Sequence, residues 1–344
     1  MNYIDLGKTG LKVSAVGFGG IPIIRLRADE AVKVLRHAYD QGITFYDTAN
    51  MYRDSEAKIG QALSHVRDKI IIATKTTQRN AAGFRQHLEG SLQMLKTDHI
   101  DLYQFHQVAS GEEWGKITKD SGAWGEADKA KQEGKIRFLG VTSHNLPMAI
   151  KLAKTGLFST VQFPFNLIEQ EAKDELHQYC RDNGIGNIIM KPFAGGVIDN
   201  AAIAFKYLRQ FSDIIPIPGF DSVKSVDEIV SIYENKNEIT ENDLGLMDKY
   251  RQELGKVFCR RCEYCQPCPN GVIITPAMGY PIVASRMSPK VSVEFLKVPM
   301  ESTLLCDECE ACIEKCPYDL PIPDLLKKNY DLYEAHRSQV ELNK

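Results

Sequence analysis

The chain has 344 residues, a formal net charge of −3 at pH 7 and charged side chains at 25% of its positions. This length suffices for one large domain and a small second one, and the near-balanced charge gives no general reason to expect nucleic acid or a membrane as partner. Because the N-terminus has no basic start followed by an apolar core, and no apolar run is long enough to span a bilayer, we expect a cytoplasmic protein.

Strand and helix signals alternate along the first two thirds of the chain. After an opening hairpin with its turn at residues 7–10, buried strands are predicted at residues 15–18, 43–46, 69–74, 100–105, 136–141, 160–163, 186–190 and 213–217. Helices are predicted between them, at residues 31–39, 56–63, 83–95, 128–133, 147–154, 169–181, 201–211 and 223–233. Eight such alternations predict an α/β fold of the (β/α)8 TIM barrel type in residues 1–250, with an open doubly wound sheet as the alternative.

Ionisable side chains stand where three consecutive strands of this barrel end. Asp47 ends the second strand, Lys75 the third and His106 the fourth, and Tyr52 follows in the loop after Asp47. Taken singly, they read as a turn cap, a surface lysine, a core histidine and a loop aromatic. Together they predict an acid site, because the carboxyl ends of barrel strands meet at one mouth. Asp47 would pair with Lys75, the ammonium would lower the pKa of Tyr52, and His106 would donate a hydrogen bond to substrate or relay a proton.

Several spaced motifs make roughly residues 1–235 similar to the aldo-keto reductase superfamily. They are residues 6–14, 45–52, 73–75, 101–106, 140–141, 190–192 and 217–219, with Ser55, Glu56, Ile59, Gly60 and Gln162. In that family the residues at the positions of Asp47, Tyr52, Lys75 and His106 form a catalytic tetrad with the tyrosine as general acid. The resemblance therefore implies hydride transfer between a nicotinamide nucleotide and a small carbonyl or alcohol substrate, whose identity the sequence leaves open.

The nucleotide site is also implied by the resemblance, because the chain has no Gly-x-Gly-x-x-Gly fingerprint of a Rossmann domain. A barrel can hold a dinucleotide across its mouth, near its last loops and a helix N-terminus. The resemblance places the nicotinamide amide against Thr142, Ser143 and Gln162. Further cofactor contacts are assigned to Gly20, Met190, Lys191, Gly219, Ser222 and Lys224.

Two departures from the family concern the choice of nucleotide. Met190 stands where many relatives stack a tyrosine on the nicotinamide ring. The stretch after Gly219 lacks the arginine that many relatives use for a 2′-phosphate, and Asp221 would repel that group. NAD(H) is therefore an alternative to the NADP(H) that the superfamily usually takes, with Lys224 as the only nearby cation to favour NADP(H).

Eight of the nine cysteines form two tight groups after a predicted connecting helix at residues 236–254. The first is Cys259, Cys262, Cys265 and Cys268, and the second is Cys306, Cys309, Cys312 and Cys316. A proline follows the last cysteine of each group. The second group has the spacing of the bacterial ferredoxin run, and the first differs by one residue fewer before its last cysteine. This clustering indicates metal rather than disulfides, with iron–sulfur favoured and zinc as the alternative. The ninth, Cys180, is expected to pack in a helix.

The ferredoxin pattern predicts how the eight cysteines share two [4Fe-4S] clusters, because three cysteines of each run bind one cluster and the fourth crosses to the other. One cluster is expected on Cys259, Cys262, Cys265 and Cys316, and the other on Cys268, Cys306, Cys309 and Cys312. Residues 251–344 are thus predicted to form a small ferredoxin-like domain. The whole arrangement resembles the iron–sulfur branch of the aldo-keto reductases, found largely in anaerobic microbes.

Three functions fit these motifs. The first is a carbonyl reductase or alcohol dehydrogenase with clusters that stabilise the fold or dock a partner. The second is a reductase whose clusters exchange electrons with a ferredoxin-like partner, although a two-electron hydride and a one-electron cluster would need a flavin or similar mediator, and no flavin motif is present. The third is a redox or nucleotide sensor. The complete tetrad favours catalysis, with specificity set by loops such as residues 108–124, where Trp114 and Trp124 either line the pocket or pack the loop.

Overall fold

A computed structural model describes residues 1–285 and 287–342 of the chain. The chain divides into two compact units, the first made of Met1–Ala194 and Ile198–Asp243, the second of Gly195–Val197 and Leu244–Lys344. The predicted domain limits at residues 250 and 251 stay an expectation. Within the described ranges, no helix combines the length and apolar character needed to cross a membrane.

The first unit opens with a hairpin and continues as a parallel sheet. Strands β1 (Tyr3–Asp5) and β2 (Lys12–Ser14) pair antiparallel across the 3-10 turn Gly7–Thr9. Eight parallel strands follow in chain order: β3 (Phe18–Gly19), β4 (Phe45–Asp47), β5 (Ile71–Thr76), β6 (Ile100–Phe105), β7 (Ile136–Thr142), β8 (Thr160–Pro164), β9 (Gly186–Met190) and β10 (Ile214–Pro216).

Backbone hydrogen bonds join the two edges of this sheet. The Gly17 amide donates to the Pro216 carbonyl at 2.9 Å, and the Gly19 amide donates to the Pro218 carbonyl at 2.7 Å. Gly19 also forms a parallel bridge with Gly219. Closure brings β3 beside β10, which confirms the predicted barrel and excludes the open doubly wound sheet.

The helices of the first unit mostly follow their strands as predicted. They are α1 (Ala28–Asp40), α2 (Ser55–Leu63), α3 (Ala81–Leu95), α4 (Gly111–Thr118), α5 (Ala123–Gln132), α6 (Leu146–Lys154), α7 (Gln178–Asn183), α8 (Ala201–Leu208) and α9 (Val223–Glu234), with 3-10 turns Pro22–Arg25 and Ser64–Lys69. Several begin at an asparagine whose side chain accepts from an amide three residues on, as Asn80 does from Gly83 at 2.8 Å.

Two predicted helices differ from the structure. A single helix was expected at residues 128–133, but α4 precedes α5 in this connection, because the Ser110 side chain caps α4 by accepting from the Glu113 amide at 3.2 Å. The predicted helix at residues 169–181 has a π-helical turn, Lys173–His177, before α7. A wider turn of this kind leaves the apolar spacing of the sequence almost unchanged, so the pattern did not reveal it.

The second unit is helical. Its helices are α10 (Glu241–Gly255), which begins in the first unit and starts later than the predicted residue 236, α11 (Ile274–Met278), α12 (Tyr280–Ala284), α13 (Pro289–Phe295), α14 (Lys297–Ser302), α15 (Ala311–Glu314) and α16 (Ile322–Leu342), with a 3-10 turn Thr303–Leu305. Its core centres on Tyr280, Met300 and Tyr333, each 0% exposed. Because most of its cysteines lie in the loops between these helices, the helical core holds the cysteine loops in place.

Candidate functional site

A buried ion pair forms the base of the barrel mouth. Asp47 is the last residue of β4, and Lys75 is the penultimate residue of the neighbouring β5. Lys75 Nζ lies 2.6 Å from Asp47 Oδ1 and donates to the Thr48 carbonyl, also at 2.6 Å. Gln104 donates to the other carboxylate oxygen at 3.1 Å. The two charged side chains are only 4% and 1% exposed, so each compensates the charge of the other.

Burial and pairing act in opposite directions on these two groups. Exclusion of water raises the pKa of Asp47 and lowers the pKa of Lys75, because it penalises both charged forms. The Lys75 charge and the hydrogen bonds to Asp47 oppose this rise in the pKa of Asp47. The Asp47 charge and its hydrogen bond oppose the fall in the pKa of Lys75. Either charge without the other would be buried and unpaired, so the pair acts as a unit.

Tyr52 and His106 meet above this pair. The Tyr52 backbone is fixed in a turn in which its amide donates to the Ala49 carbonyl at 2.9 Å. The Tyr52 and His106 rings pack edge to face with centroids 5.7 Å apart, and Lys75 Nζ lies 5.2 Å from the centroid of the Tyr52 ring. The fold therefore brings all four residues of the predicted acid site together at one end of the barrel.

The pKa of Tyr52 shifts opposite to the expected direction. The sequence predicted that Lys75 would lower it, but burial raises the pKa of Tyr52 and the Asp47 carboxylate raises it further. The physical reason is that the ammonium faces the ring and is already matched by Asp47 at 2.6 Å. Tyr52 is thus a protonated phenol at neutral pH.

His106 is neutral at physiological pH. Burial lowers its pKa to about 2, and the positive charges of Lys75 and Arg79 add to this shift. Its Nδ1 is buried and has no hydrogen-bond partner among the described residues. A neutral imidazole in this position can donate one hydrogen bond to a substrate oxygen.

The three residues predicted to hold a nicotinamide amide lie on adjacent strands. Thr142 ends β7 and pairs in register with Gln162 of β8, and Ser143 follows Thr142; all three are buried. Gln162 Nε2 lies 3.4 Å from Asp47 Oδ1, whereas Gln162 Oε1 is buried with no partner in the described part of the chain. An unpartnered buried amide oxygen costs free energy, so these residues fit a ligand that donates a hydrogen bond there.

The other predicted nucleotide contacts are spread around the same end of the barrel. Met190 ends β9, and Lys191, with φ of 58°, places Nζ 3.0 Å from His144 Nδ1. Gly20 donates its amide to the Asp47 carbonyl at 2.8 Å, and Gly219 forms the bridge that closes the sheet. Ser222 caps α9 by accepting from the Ser225 amide at 3.1 Å, and Lys224 is exposed.

Sequence reasoning missed two arginines. It treated Lys224 as the only cation near Asp221, but Arg25 Nη2 lies 3.0 Å from Asp221 Oδ2. Arg25 comes from the loop after β3, and only closure of the barrel brings it there. Arg79, in the loop after β5, donates to the His106 carbonyl at 2.7 Å and contacts Glu113 at 3.4 Å. Arg79 could have been found from the sequence, because it lies just beyond the end of a predicted strand.

The two tryptophans pack with each other and with other aromatic side chains. Their ring centroids are 5.9 Å apart, and those of Trp114 and Phe158 are 5.7 Å apart. Trp124 also stacks on Phe105 of β6 at 6.1 Å. Of the two roles considered for Trp114 and Trp124, these contacts favour packing of the connection between β6 and β7.

Eight cysteines surround two cavities in the second unit. One is lined by Cys259, Cys262, Cys265 and Cys316, and the other by Cys268, Cys306, Cys309 and Cys312. This is the grouping of the crossed ferredoxin pairing, and ligation itself stays a prediction. Four thiol donors around one cavity are the ligand set of an iron–sulfur cluster. Among the described residues, no three His, Cys, Asp or Glu side chains are grouped to hold a single ion.

Residues 15–204 match the aldo/keto reductase family, and residues 258–320 match a 4Fe-4S dicluster domain. The uncharacterised oxidoreductase YrpG of Bacillus subtilis is 30% identical over an alignment of 234 residues that covers 59% of this chain and 70% of YrpG. The aldo-keto reductase YhdN of the same species is 30% identical over an alignment of 220 residues that covers 58% of this chain and 64% of YhdN. The structure of aldo-keto reductase AKR11C1 from Bacillus halodurans aligns with a TM-score of 0.62 and 22% identity over 72% of this chain and 96% of AKR11C1, a likeness of fold.

Proposed function

Because the chain belongs to the aldo/keto reductase family of oxidoreductases and carries a 4Fe-4S dicluster domain, we propose that it interconverts a small carbonyl compound and its alcohol with a nicotinamide nucleotide. The observation that carries this proposal is the meeting of Tyr52 and His106 over the buried Asp47–Lys75 pair. A bound nicotinamide would supply the hydride.

In this proposal Tyr52 is the general acid. A carbonyl oxygen at the mouth would accept a hydrogen bond from the neutral His106 imidazole while negative charge develops on it. Because its pKa is raised, Tyr52 keeps its proton until the oxygen approaches an alkoxide, which is a stronger base than phenolate. The Lys75 ammonium would then stabilise the phenolate, and Asp47 keeps that ammonium in place.

The chain's own residues offer a place for the nucleotide. Gln162 Oε1, which has no partner within the described ranges, would accept from the carboxamide of the nicotinamide, with Thr142 and Ser143 beside it. Met190 would contact the ring, and the loops that contain Gly20, Lys191 and Gly219 would surround the phosphates. Ser222 and Lys224 lie at the start of α9, a helix N-terminus suited to an anionic group.

Isotope transfer tests this function. The full chain, purified without oxygen, is given a nucleotide deuterated at nicotinamide C4 and an activated aromatic aldehyde. We expect one deuterium on the carbinol carbon of each alcohol formed, measured by mass spectrometry. Alcohol without deuterium from either face of the nicotinamide would show that the hydride is not transferred directly.

Nucleotide preference is expected to depend on Asp221. In the wild type, Asp221 holds Arg25 and repels a 2′-phosphate, so NADH should bind more tightly than NADPH. Asp221→Asn should raise the affinity for NADPH relative to NADH about fivefold, the change that about 1 kcal/mol of surface charge interaction produces. Nucleotide fluorescence titration measures both dissociation constants. Asp227→Asn, on α9 shortly after Asp221 and paired with His37, is the control, and an equal change there would rule out Asp221 as the determinant of nucleotide preference.

The pH dependence should lack a histidine ionisation. Because the pKa of His106 is lowered to about 2, kcat/KM should show no break near pH 6.5, measured between about pH 5 and 8. For stability, the folded state keeps His106 neutral while the unfolded chain binds the proton. His106 therefore favours unfolding as pH falls below about 6.5 and has no such effect above it. A break in kcat/KM near pH 6.5 that His106→Gln removes would contradict this description.

For the second unit we propose two [4Fe-4S] clusters, one in each cysteine cavity. Cys259, Cys262, Cys265 and Cys316 would hold one, and Cys268, Cys306, Cys309 and Cys312 the other. A second candidate function, exchange of electrons with a ferredoxin-like partner, is favoured by one observation: Cys309 is exposed. Anaerobic purification followed by iron and sulfide analysis should give about eight of each per chain.

A further inference from the structure

The two cysteine cavities differ in their distance from solvent. Cys265 and Cys316, which line the first cavity, are each 8% exposed. Cys309, which lines the second, is exposed, and so are all of its neighbours in residues 304–310 except Cys306, which is half-buried. A metal group in the second cavity would therefore lie close to the surface of the chain.

The charges around the cavities also differ. Residues 259–268 contain two arginines and one glutamate, whereas residues 306–316 contain four carboxylates and one lysine. Glu308 and Glu310 flank Cys309 with left-handed backbones, at φ of 58° and 59°. Asp307 has a different role, because it accepts from Asn270 Nδ2 at 2.6 Å and from the Cys309 amide at 3.2 Å. It fixes the loop, which leaves the two glutamates to face solvent.

Two leucines add an apolar surface to this acidic one. Leu304 and Leu305 are 66% and 57% exposed and immediately precede Cys306. Leu305 lies beside Gly271, three residues after Cys268, so it sits near both chain segments that line the second cavity. We refer to Leu304, Leu305, Glu308, Cys309 and Glu310 as the Cys309 face. The two leucines form an exposed apolar pair beside the carboxylates of residues 307–310, and exposed apolar surface rimmed by polar groups is typical of an interaction site.

We propose that the Cys309 face is the docking surface for a one-electron carrier protein whose own surface is basic around an apolar centre. The inference rests on the proposed function, since it requires a cluster in the second cavity. The carboxylates of Glu308 and Glu310 favour a partner with a basic surface, and the two leucines favour an apolar centre in that surface. Docking would allow one electron to pass from the reduced carrier to the metal site, so the carrier is oxidised and the metal site reduced by one electron, and no bond would form or break.

Binding rather than turnover tests this surface. The probe is an oxidised c-type cytochrome with a positive net charge, titrated calorimetrically into the full, cluster-containing chain without oxygen. We expect binding at low ionic strength that weakens as salt is added. Glu308→Gln with Glu310→Gln should weaken it about tenfold and reduce its salt dependence, and Leu304→Gln should weaken it about fivefold.

Matched variants separate docking from general effects of charge and polarity. Glu294→Gln with Glu341→Gln makes the same change of net charge at exposed positions outside the Cys309 face. Leu342→Gln replaces a leucine that is 87% exposed at the end of α16. Both should bind the cytochrome as the wild type does. Iron analysis of each variant shows whether the clusters are retained.

Five outcomes would overturn the proposal. Equal weakening in the control variants would show a nonspecific charge effect, and tighter binding of an acidic flavodoxin would place docking elsewhere. A wild-type dimer that dissociates in Leu304→Gln, measured by light scattering, would show that a second copy covers this face. Full iron content without cytochrome binding would contradict the docking alone, whereas iron near zero in the wild type would contradict the cluster assignment and, with it, the docking.

Discussion

Tyr52→Phe is expected to lower kcat for carbonyl reduction by about 100- to 10,000-fold, the contribution typical of a positioned general acid. The change removes one hydroxyl and keeps the ring that packs on His106 at 5.7 Å. Nucleotide affinity should therefore stay within about twofold of the wild type, because the hydroxyl acts only on the substrate oxygen. Steady-state reduction of an activated aldehyde measures the first quantity, and nucleotide fluorescence measures the second.

Tyr179→Phe is the matched control for Tyr52→Phe. Tyr179 lies on α7, with its ring 5.8 Å from Lys154 Nζ, and it belongs to no predicted contact of the mouth. Its variant should reduce the aldehyde at the wild-type rate. If Tyr52→Phe retained turnover, or if both variants lost it equally, Tyr52 would not be the proton donor.

Lys75→Met should abolish turnover and also destabilise the barrel. It would leave the Asp47 carboxylate 4% exposed with no cation, a change that costs about 3 to 5 kcal/mol of unfolding free energy. Both tryptophans of the chain, Trp114 and Trp124, lie in the first unit, so their emission during urea unfolding reports the stability of that unit. The loss of activity follows because no ammonium would then stabilise the phenolate of Tyr52.

The double variant Asp47→Asn with Lys75→Met separates the two effects. With neither charge buried, we expect most of the lost stability to return while turnover stays absent. Lys206→Met, which removes the partner of Asp243 at 2.6 Å elsewhere in the first unit, should leave kcat unchanged. A double variant as unstable as Lys75→Met would show that the ion pair is not the cause of the destabilisation.

The barrel and the meeting of the tetrad were predictable because both follow from local signals. Apolar runs with polar residues at their carboxyl ends define β4, β5 and β6, and parallel strands must place those ends at one edge. Asp47, Lys75 and His106 therefore had to converge once the strands were assigned correctly. The crossed grouping of cysteines was likewise readable from their spacing.

Features that depend on closure or on solvent exclusion were not predictable. Arg25 and Asp221 are 196 positions apart and pair only because the barrel closes. The raised pKa of Tyr52 depends on how much water the folded mouth excludes, which no motif encodes. The difference in charge between the two cysteine groups can be read from the sequence. The exposure of Cys309, in contrast, is known only from the structure.

The central claim is that the barrel mouth reduces carbonyls by direct transfer of two electrons, without passing them through the second unit. An anaerobic visible spectrum of the purified chain, recorded after NADH alone and again after an activated aldehyde, tests it most directly. We predict that the iron–sulfur band stays unchanged in both steps, while the aldehyde consumes one NADH for each alcohol formed. Bleaching of the band by NADH alone would contradict the claim, because electrons would then leave the nucleotide singly through a mediator.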